Sequence, residues 1–405
     1  MKKQNWNKIL LLDGLFEGGR MLVGAISVVY LLAHGQTLAF VATLKLIQSV
    51  TLILSEVPTG IYCDLHGHKK GLLAALLCGV VGFFCYAIHF NTLTFVFGEV
   101  GLALALSFWS GAYESFAIDQ MELKEREIDQ FFHTNGTINR FSVMLFGFFG
   151  GLIASYSNEL SYWAALVIFV LAFTHLKLRL HETQVEHQIA ARKGLKESCL
   201  EAVKILNQKK ELRPYIILTI ALQFLLVPML HYWQPLFESM AGPAKGGSLL
   251  GLVFMSYVAT TACVGMVFSK YAKTDFMQTE GMKIAVVIVA VASHVLVAFC
   301  HSFWALLAAF CLLQAAIAMG RTMMSAAMNK IIESKYRASM LSSVSLIGRF
   351  GGVFSLALVS LSFTKLDGVQ SLFLINSIFM ALSATVIIYK LIQTSLQKIV
   401  VNYAN

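Results

Sequence analysis

Gly60-Ile-Tyr-Cys-Asp64-Leu-His-Gly67-His68-Lys69-Lys70 sets one acid, two glycines and a basic cluster between two long apolar runs. Glycine admits the backbone conformations that close a tight turn. Lys and Arg accumulate in the loops on one face of a membrane. A short basic turn between two apolar runs therefore joins two membrane-crossing helices on that face.

The runs on either side of it lie at 36–63 and 70–90. Ten more follow, near 8–33, 92–119, 134–157, 160–178, 213–237, 248–270, 281–300, 302–330, 339–363 and 368–392. A bilayer core of ~30 Å is crossed by roughly 20 residues of helix, so each run is long enough. The 405-residue chain is 57% hydrophobic and 13% charged, with mean hydropathy +0.71; a soluble chain is nearer ~25% charged. The expected fold class is an all-α polytopic membrane protein with twelve transmembrane helices.

The net charge of +9 is explained by its distribution rather than by a nucleic-acid partner. Of the 31 Lys and Arg, roughly 24 fall on the side of the N-terminus, Lys245 and Lys365 fall opposite, and about 5 lie within runs. Basic loops stay on the cytoplasmic side and attract anionic lipid. Both termini are therefore expected in the cytoplasm, in a bacterial inner membrane. Met1-Lys-Lys mimics the start of a signal peptide, but Asp13, Glu17 and Arg20 interrupt the following run, which predicts a retained first helix. The seven Cys include no C-x-x-C pair, and six sit in or beside apolar runs as small hydrophobic thiols.

The long polar segment at 179–212 divides six runs from six, which predicts a bundle at 1–178, a cytoplasmic central segment and a second bundle at 213–405. Its charges suit an amphipathic helix on the membrane surface. Gly320 lies 209 residues after Gly111, and the same shift carries Ala117 onto Ala326. It also carries Ile138, Arg140 and Phe141 onto Ile347, Arg349 and Phe350. Two pseudo-symmetric six-helix repeats are expected.

Gly60, Asp64, Gly67 and Lys69 resemble the loop signature of the major facilitator superfamily, roughly G-x-x-x-D-x-x-G-R-[KR]-x, with His68 at the usual Arg position. Glu56-Val-Pro-Thr-Gly60, Ser110-Gly-Ala-Tyr-Glu114, Arg140 and Arg349 are similar to a bacterial, drug and metabolite efflux-like branch. The resemblance implies secondary transport by alternating access and a latch in the Gly60–Lys70 loop. In that latch Asp64 faces the N-terminus of the eleventh helix, and Lys69 or Lys70 reaches Asp119. It further implies that the first helix lines the central cavity. Gly147-Phe-Phe-Gly150-Gly151 resembles part of the glycine motif of the family's antiporters, without its proline.

A charged residue at the centre of a membrane helix costs ~2.5–3.5 kcal/mol. Asp13, Glu17 and Arg20 are spaced by four and three residues and share one helical face, which must look inward. Glu17 and Arg20 are placed to pair, leaving Asp13 less compensated. Asp13, Glu17, Glu56, Glu99 and Glu114 are candidate proton carriers. Arg20, Lys45, Arg140, Arg321 and Arg349 are candidate substrate cations, with Arg140 also placed to pair with Glu114. His231 and Gln234 are expected at the cavity or its outer gate, with Tyr232 or Trp233 as an interfacial anchor and Pro228 and Pro235 bending their helix. His294 is expected to be packed.

No G-x-x-x-x-G-K-[ST] occurs, so an ion gradient rather than ATP is the expected energy source. His181-Glu182 with His187 lacks the H-E-x-x-H spacing, and no metal site or cofactor is expected. The expected function is proton-coupled export (antiport) of a small organic solute by a monomer contacting only membrane lipid, protons and substrate. The embedded basic residues keep an alternative open, an organic anion such as a carboxylate metabolite or siderophore carried in either direction. A non-transporting sensor or scaffold is the remote alternative.

Overall fold

The computed structural model describes residues 2–121, 125–180, 213–241, 246–271, 279–331, 337–363, 369–382 and 384–385. Among these, every regular element is a helix. The helices are α1 (Lys2–Met21), α2 (Ser27–Ala33), α3 (Leu38–His66), α4 (His68–Ile88), α5 (Thr92–Met121), α6 (Glu125–Ala154) and α7 (Asn158–Arg179). They continue with α8 (Arg213–Ala241), α9 (Gly246–Tyr271), α10 (Glu280–Phe299), α11 (Phe303–Ile331), α12 (Arg337–Ser362) and α13 (Val369–Leu382). Eight of the described helices are long and apolar enough to cross a membrane. With α1 and α2 as one interrupted crossing, the chain is an all-α polytopic membrane protein of twelve transmembrane segments in two six-helix sets. The polar segment at 181–212 lies outside the described residues, as does Lys365.

Three boundaries depart from the hydropathy reading, each for a local reason. The first run breaks at 22–26, where Gly24 N–H bonds to the Met21 carbonyl at 2.9 Å and Ile26 N–H to the Val23 carbonyl at 3.1 Å. These i to i−3 bonds are turns. Leu22, Val23, Ala25 and Ile26 are all buried there, so the break is as apolar as the helices around it. Second, α6 begins at Glu125 rather than near 134, because a polar first turn extends the helix beyond its apolar run. Third, residues 60–66 belong to α3, and Gly67 alone separates α3 from α4. Its φ of 97° and ψ of 144° lie close to a region open essentially only to glycine.

The chain divides into two compact units, one of Met1–Ser198 with Pro243–Met255 and one of Cys199–Gly242 with Ser256–Asn405. In the first, α4 packs on α5 and α7, α3 on α5, and α1 on α6 and α7. Small residues set these approaches, as expected where lipid supplies no hydrophobic drive between helices. A Cβ at Gly101 would meet the Gly82 backbone at 3.1 Å, and one at Gly151 would meet the Gly247 carbonyl at 2.6 Å. The glycine run of α6 is thus a packing surface: Gly147 meets the Phe254 ring, Gly150 the Leu22 carbonyl, and Gly151 meets Gly247 and Gly251.

In the second unit α8 packs on α12 and α11, and α10 on α11. The Ser355 hydroxyl donates to the Phe224 carbonyl at 2.6 Å across the α8–α12 contact. His294 is buried, 2.9 Å from the Ser377 hydroxyl and tilted on Phe373. It is packed, as its sequence position suggests. Helix α8 is assigned as one helix through Pro228 and Pro235.

Candidate functional site

Helical spacing carries Asp13, Glu17 and Arg20 onto one side of α1, and their environments differ. Asp13 is 3% exposed, deep between α1, α5 and α6. Trp109 Nε1–H donates to its Oδ1 at 3.2 Å, and Asn135 and Asn139 Nδ2–H donate to its Oδ2 at 2.8 and 3.3 Å. Asn135 and Asn139 are four residues apart and so lie on one face of α6. The Tyr113 hydroxyl donates to Asn135 Oδ1 at 3.0 Å, which turns the amide nitrogen toward Asp13. Phe16 stacks on Trp109 with centroids 3.8 Å apart, closing the pocket from the α1 side.

Every side-chain partner of Asp13 is a donor. That environment fits a charged carboxylate, which only accepts, and charge-assisted bonds are the strong ones. A protonated Asp13 would set an O–H against indole and amide N–H groups, none of which accepts. Changing its charge therefore changes what holds α1 to α5 and α6. Beside it Glu17 and Arg20 form an ion pair at i, i+3, with side chains 17% and 30% exposed. The pairing expected from spacing is present.

Lys45 and Glu99 meet as a buried pair at 2.5 Å, on α3 and α5. The Tyr86 hydroxyl of α4 donates to the same Oε1 at 2.5 Å, and Glu99 is 0% exposed. The sequence reading set these residues in different roles, Lys45 as a substrate cation and Glu99 as a proton carrier. In the fold each neutralises the other, inside a packed three-helix contact.

At the Gly67 junction His68 Nδ1 lies 3.3 Å from Asp119 Oδ2, and His68 Nε2 lies 3.8 Å from Asp64 Oδ1. Among the described residues His68 reaches Asp119, where Lys69 or Lys70 was expected. One step along a helix rotates a side chain by about 100°, so His68, Lys69 and Lys70 point in different directions. Lys69 is half-buried, Lys70 is exposed and Gly60 is buried.

Glu114 and Arg140 are exposed on α5 and α6 and form no ion pair with each other. Glu56 is half-buried on α3. In the second unit, Arg321 is exposed on α11 and Arg349 half-buried on α12. Gln234 is buried at 2% and His231 half-buried. Tyr232 and Trp233 are both buried, so neither is an interfacial anchor. Tyr232 packs on Phe363, and Trp233 packs on Phe237, Tyr257 and Phe310.

The partners of Asp13 were missed by the sequence reading. Asn135 and Asn139 lie where helical polar residues are unremarkable, and Trp109 reads as apolar. The available signal was their i, i+4 spacing, together with Trp109 and Tyr113 at the same interval on α5.

A family model described as Major Facilitator Superfamily matches residues 14–293. No curated protein sequence matches this chain. Among solved structures, the nucleoside transporter NupG aligns with TM-score 0.78 at 12% identity, covering 96% of this chain and 98% of its own. An auto-inhibited POT family peptide transporter aligns with TM-score 0.73 at 10% identity, covering 96% and 97%. A bacterial homolog of the human lysosomal transporter Spinster, inward-facing and occupied, aligns with TM-score 0.71 at 10% identity, covering 98% and 97%.

Proposed function

Since the chain belongs to the Major Facilitator Superfamily and is a membrane transporter, we propose that it exports a small organic solute in exchange for protons. Asp13 is the coupling carboxylate in this reading. The carrying observation is its burial within a cage built only of donors from α5 and α6. Loading a proton cancels the charge those donors solvate, so it loosens α1 from two neighbouring helices. A carboxylate linked in this way to helix packing converts proton binding into movement. Glu17, already paired with Arg20, and Glu99, paired with Lys45, are assigned to structure. The protein works as a monomer in a bacterial inner membrane, with both termini cytoplasmic.

The test uses purified protein in proteoliposomes under an imposed pH gradient, with a solute chosen by thermal-shift screening of cationic amphiphiles against organic anions. Asp13→Asn is expected to abolish gradient-driven uptake while keeping solute exchange. Unchanged gradient-driven uptake would remove Asp13 from the mechanism.

A second reading, transport of an organic anion, is favoured by a specific observation. Arg20 and Lys45 are neutralised internally, but Arg140 and Arg321 have no carboxylate partner among the described residues. Exposed charge on a membrane helix implies water or a counter-charge beside it. Stabilisation by anions that is lost in Arg140→Ala or Arg321→Ala supports this reading. Stabilisation by cations alone, indifferent to both, defeats it.

A further inference from the structure

We propose that His34, His89 and Glu159 form a binding site for a divalent first-row transition-metal ion, with Zn²⁺ as the ion the ligands fit best. The three residues come from the C-terminal caps of α2 and α4 and the first turn of α7. They meet at the end of the first unit opposite the Gly67 junction, since α3 and α4 each run the length between the two ends. One ligand atom from each of the three lies within 4.8 Å of the others.

The surrounding hydrogen bonds settle which ring nitrogens are free to bind an ion. His34 Nδ1 lies 2.8 Å from the Tyr30 carbonyl, and His89 Nδ1 lies 3.1 Å from the Ala87 carbonyl. A carbonyl only accepts, so both rings carry their proton on Nδ1 and present Nε2 as a lone pair. That is the neutral tautomer a metal requires, held by the outer-shell contact that metal-bound histidines ordinarily make. The Tyr30 hydroxyl is also 3.2 Å from His89 Nδ1 and donates to the Tyr86 carbonyl at 2.7 Å. Glu159 is divided in the same way. Ser157 donates to its Oε2, leaving Oε1 at 3.5 Å from His34 Nε2.

The distances suit ligation. Ligands at ~2.0–2.1 Å from a tetrahedral Zn²⁺ are about 3.3–3.4 Å apart, close to the His34–Glu159 separation. The two imidazoles stand edge to face with centroids 4.3 Å apart, so closure on an ion needs only small side-chain rotations. Two imidazoles and one carboxylate favour Zn²⁺, Ni²⁺ or Cu²⁺ over the all-oxygen preference of Ca²⁺ and Mg²⁺. All three residues are half-buried, so none of the three is sealed off in the core. His89 closes α4 in the left-handed conformation that commonly ends a helix, φ 30°. A bound ion ties α2, the arm beyond the break in the first crossing, to α4 and α7, and so restrains that arm.

The experiment uses the full-length purified protein stripped with chelator and titrated with Zn²⁺, with Co²⁺ as a spectroscopic probe. One equivalent is expected to bind, with a visible Co²⁺ spectrum of four-coordinate type and a raised Tm. Affinity should fall at least ten-fold in His34→Ala and in Glu159→Gln, and stay unchanged in the exposed-histidine control His301→Ala. His89→Ala should behave like His34→Ala; if it does not fold, the other two variants decide. The absence of saturable binding, or stoichiometric binding unaltered in His34→Ala and Glu159→Gln, overturns the proposal. Because the readout is metal binding alone, the result is independent of the transport reading.

Discussion

The Lys45–Glu99 pair shows how much a single residue decides in a low-dielectric interior. Both side chains are almost wholly buried, and Tyr86 donates to the same carboxylate oxygen. Removing one partner strands the other charge, a loss of about 3–5 kcal/mol for a buried pair. Glu99→Gln should therefore lower the Tm in detergent strongly, whereas Lys45→Met with Glu99→Leu should recover most of it. Equal losses in the single and double variants would show that packing, not charge, holds this contact. Gly67 is decisive for a different reason. At φ 97° and ψ 144° a side chain is strained, and Gly67→Ala should destabilise by ~1–3 kcal/mol. Gly136, inside α6 with nothing within 4 Å of a built Cβ, supplies the contrast. There Gly136→Ala should raise stability by about 0.5–1 kcal/mol through helix propensity, read from the same melting curves.

At the scale of elements, apolar run length made the helices legible, because a membrane helix must be apolar over nearly its whole length. The same criterion is blind where structure changes without a change of polarity. The break at 22–26 is formed by Leu-Val-Gly-Ala-Ile, indistinguishable in hydropathy from the helix on either side. The first turns of α6 are the reverse case, helical but polar. The glycines of α6 were legible as a motif, while their role was visible only with Leu22, Gly247, Gly251 and Phe254 in place. Charge spacing revealed the Glu17–Arg20 pair because both residues sit on one helix. The Asp13 cage and the Lys45–Glu99 pair join residues tens of positions apart, which spacing along a single helix does not encode. For the α6 surface, Gly151→Leu should abolish the folded, monodisperse protein, since the Gly247 carbonyl and the Gly251 backbone leave no room. Gly265→Leu, in open space on α9, should leave it intact. Equal yields of the two variants on size-exclusion chromatography would count against close packing at Gly151.

For the whole molecule, the repeat and the orientation are linked through the loops. Displaced by the 209 residues that separate Gly111 from Gly320, α3 to α6 fall within a few residues of α9 to α12, and α1 begins where α8 begins. The correspondence stops at the break, since α8 continues where α1 gives way to α2. The short connections then alternate in character. Those at 34–37, 89–91 and 155–157 carry no Lys or Arg, whereas Lys69 and Lys70, Arg126, and Lys177 and Arg179 mark the other end. Basic loops resist translocation, so the proposed orientation puts the end holding His34, His89 and Glu159 outside and the Gly67 junction in the cytoplasm, which labelling tests. In a chain whose seven native cysteines are replaced, Tyr156→Cys, on a residue 88% exposed, should react with an impermeant maleimide in intact cells. His66→Cys, at the exposed end of α3, should react only after permeabilisation. The reverse pattern would invert the topology, moving the histidine pair to the cytoplasmic side and the Asp64–His68–Asp119 contact to the outside. It would thereby turn the proposed direction of coupling around while leaving every contact within the first unit as described.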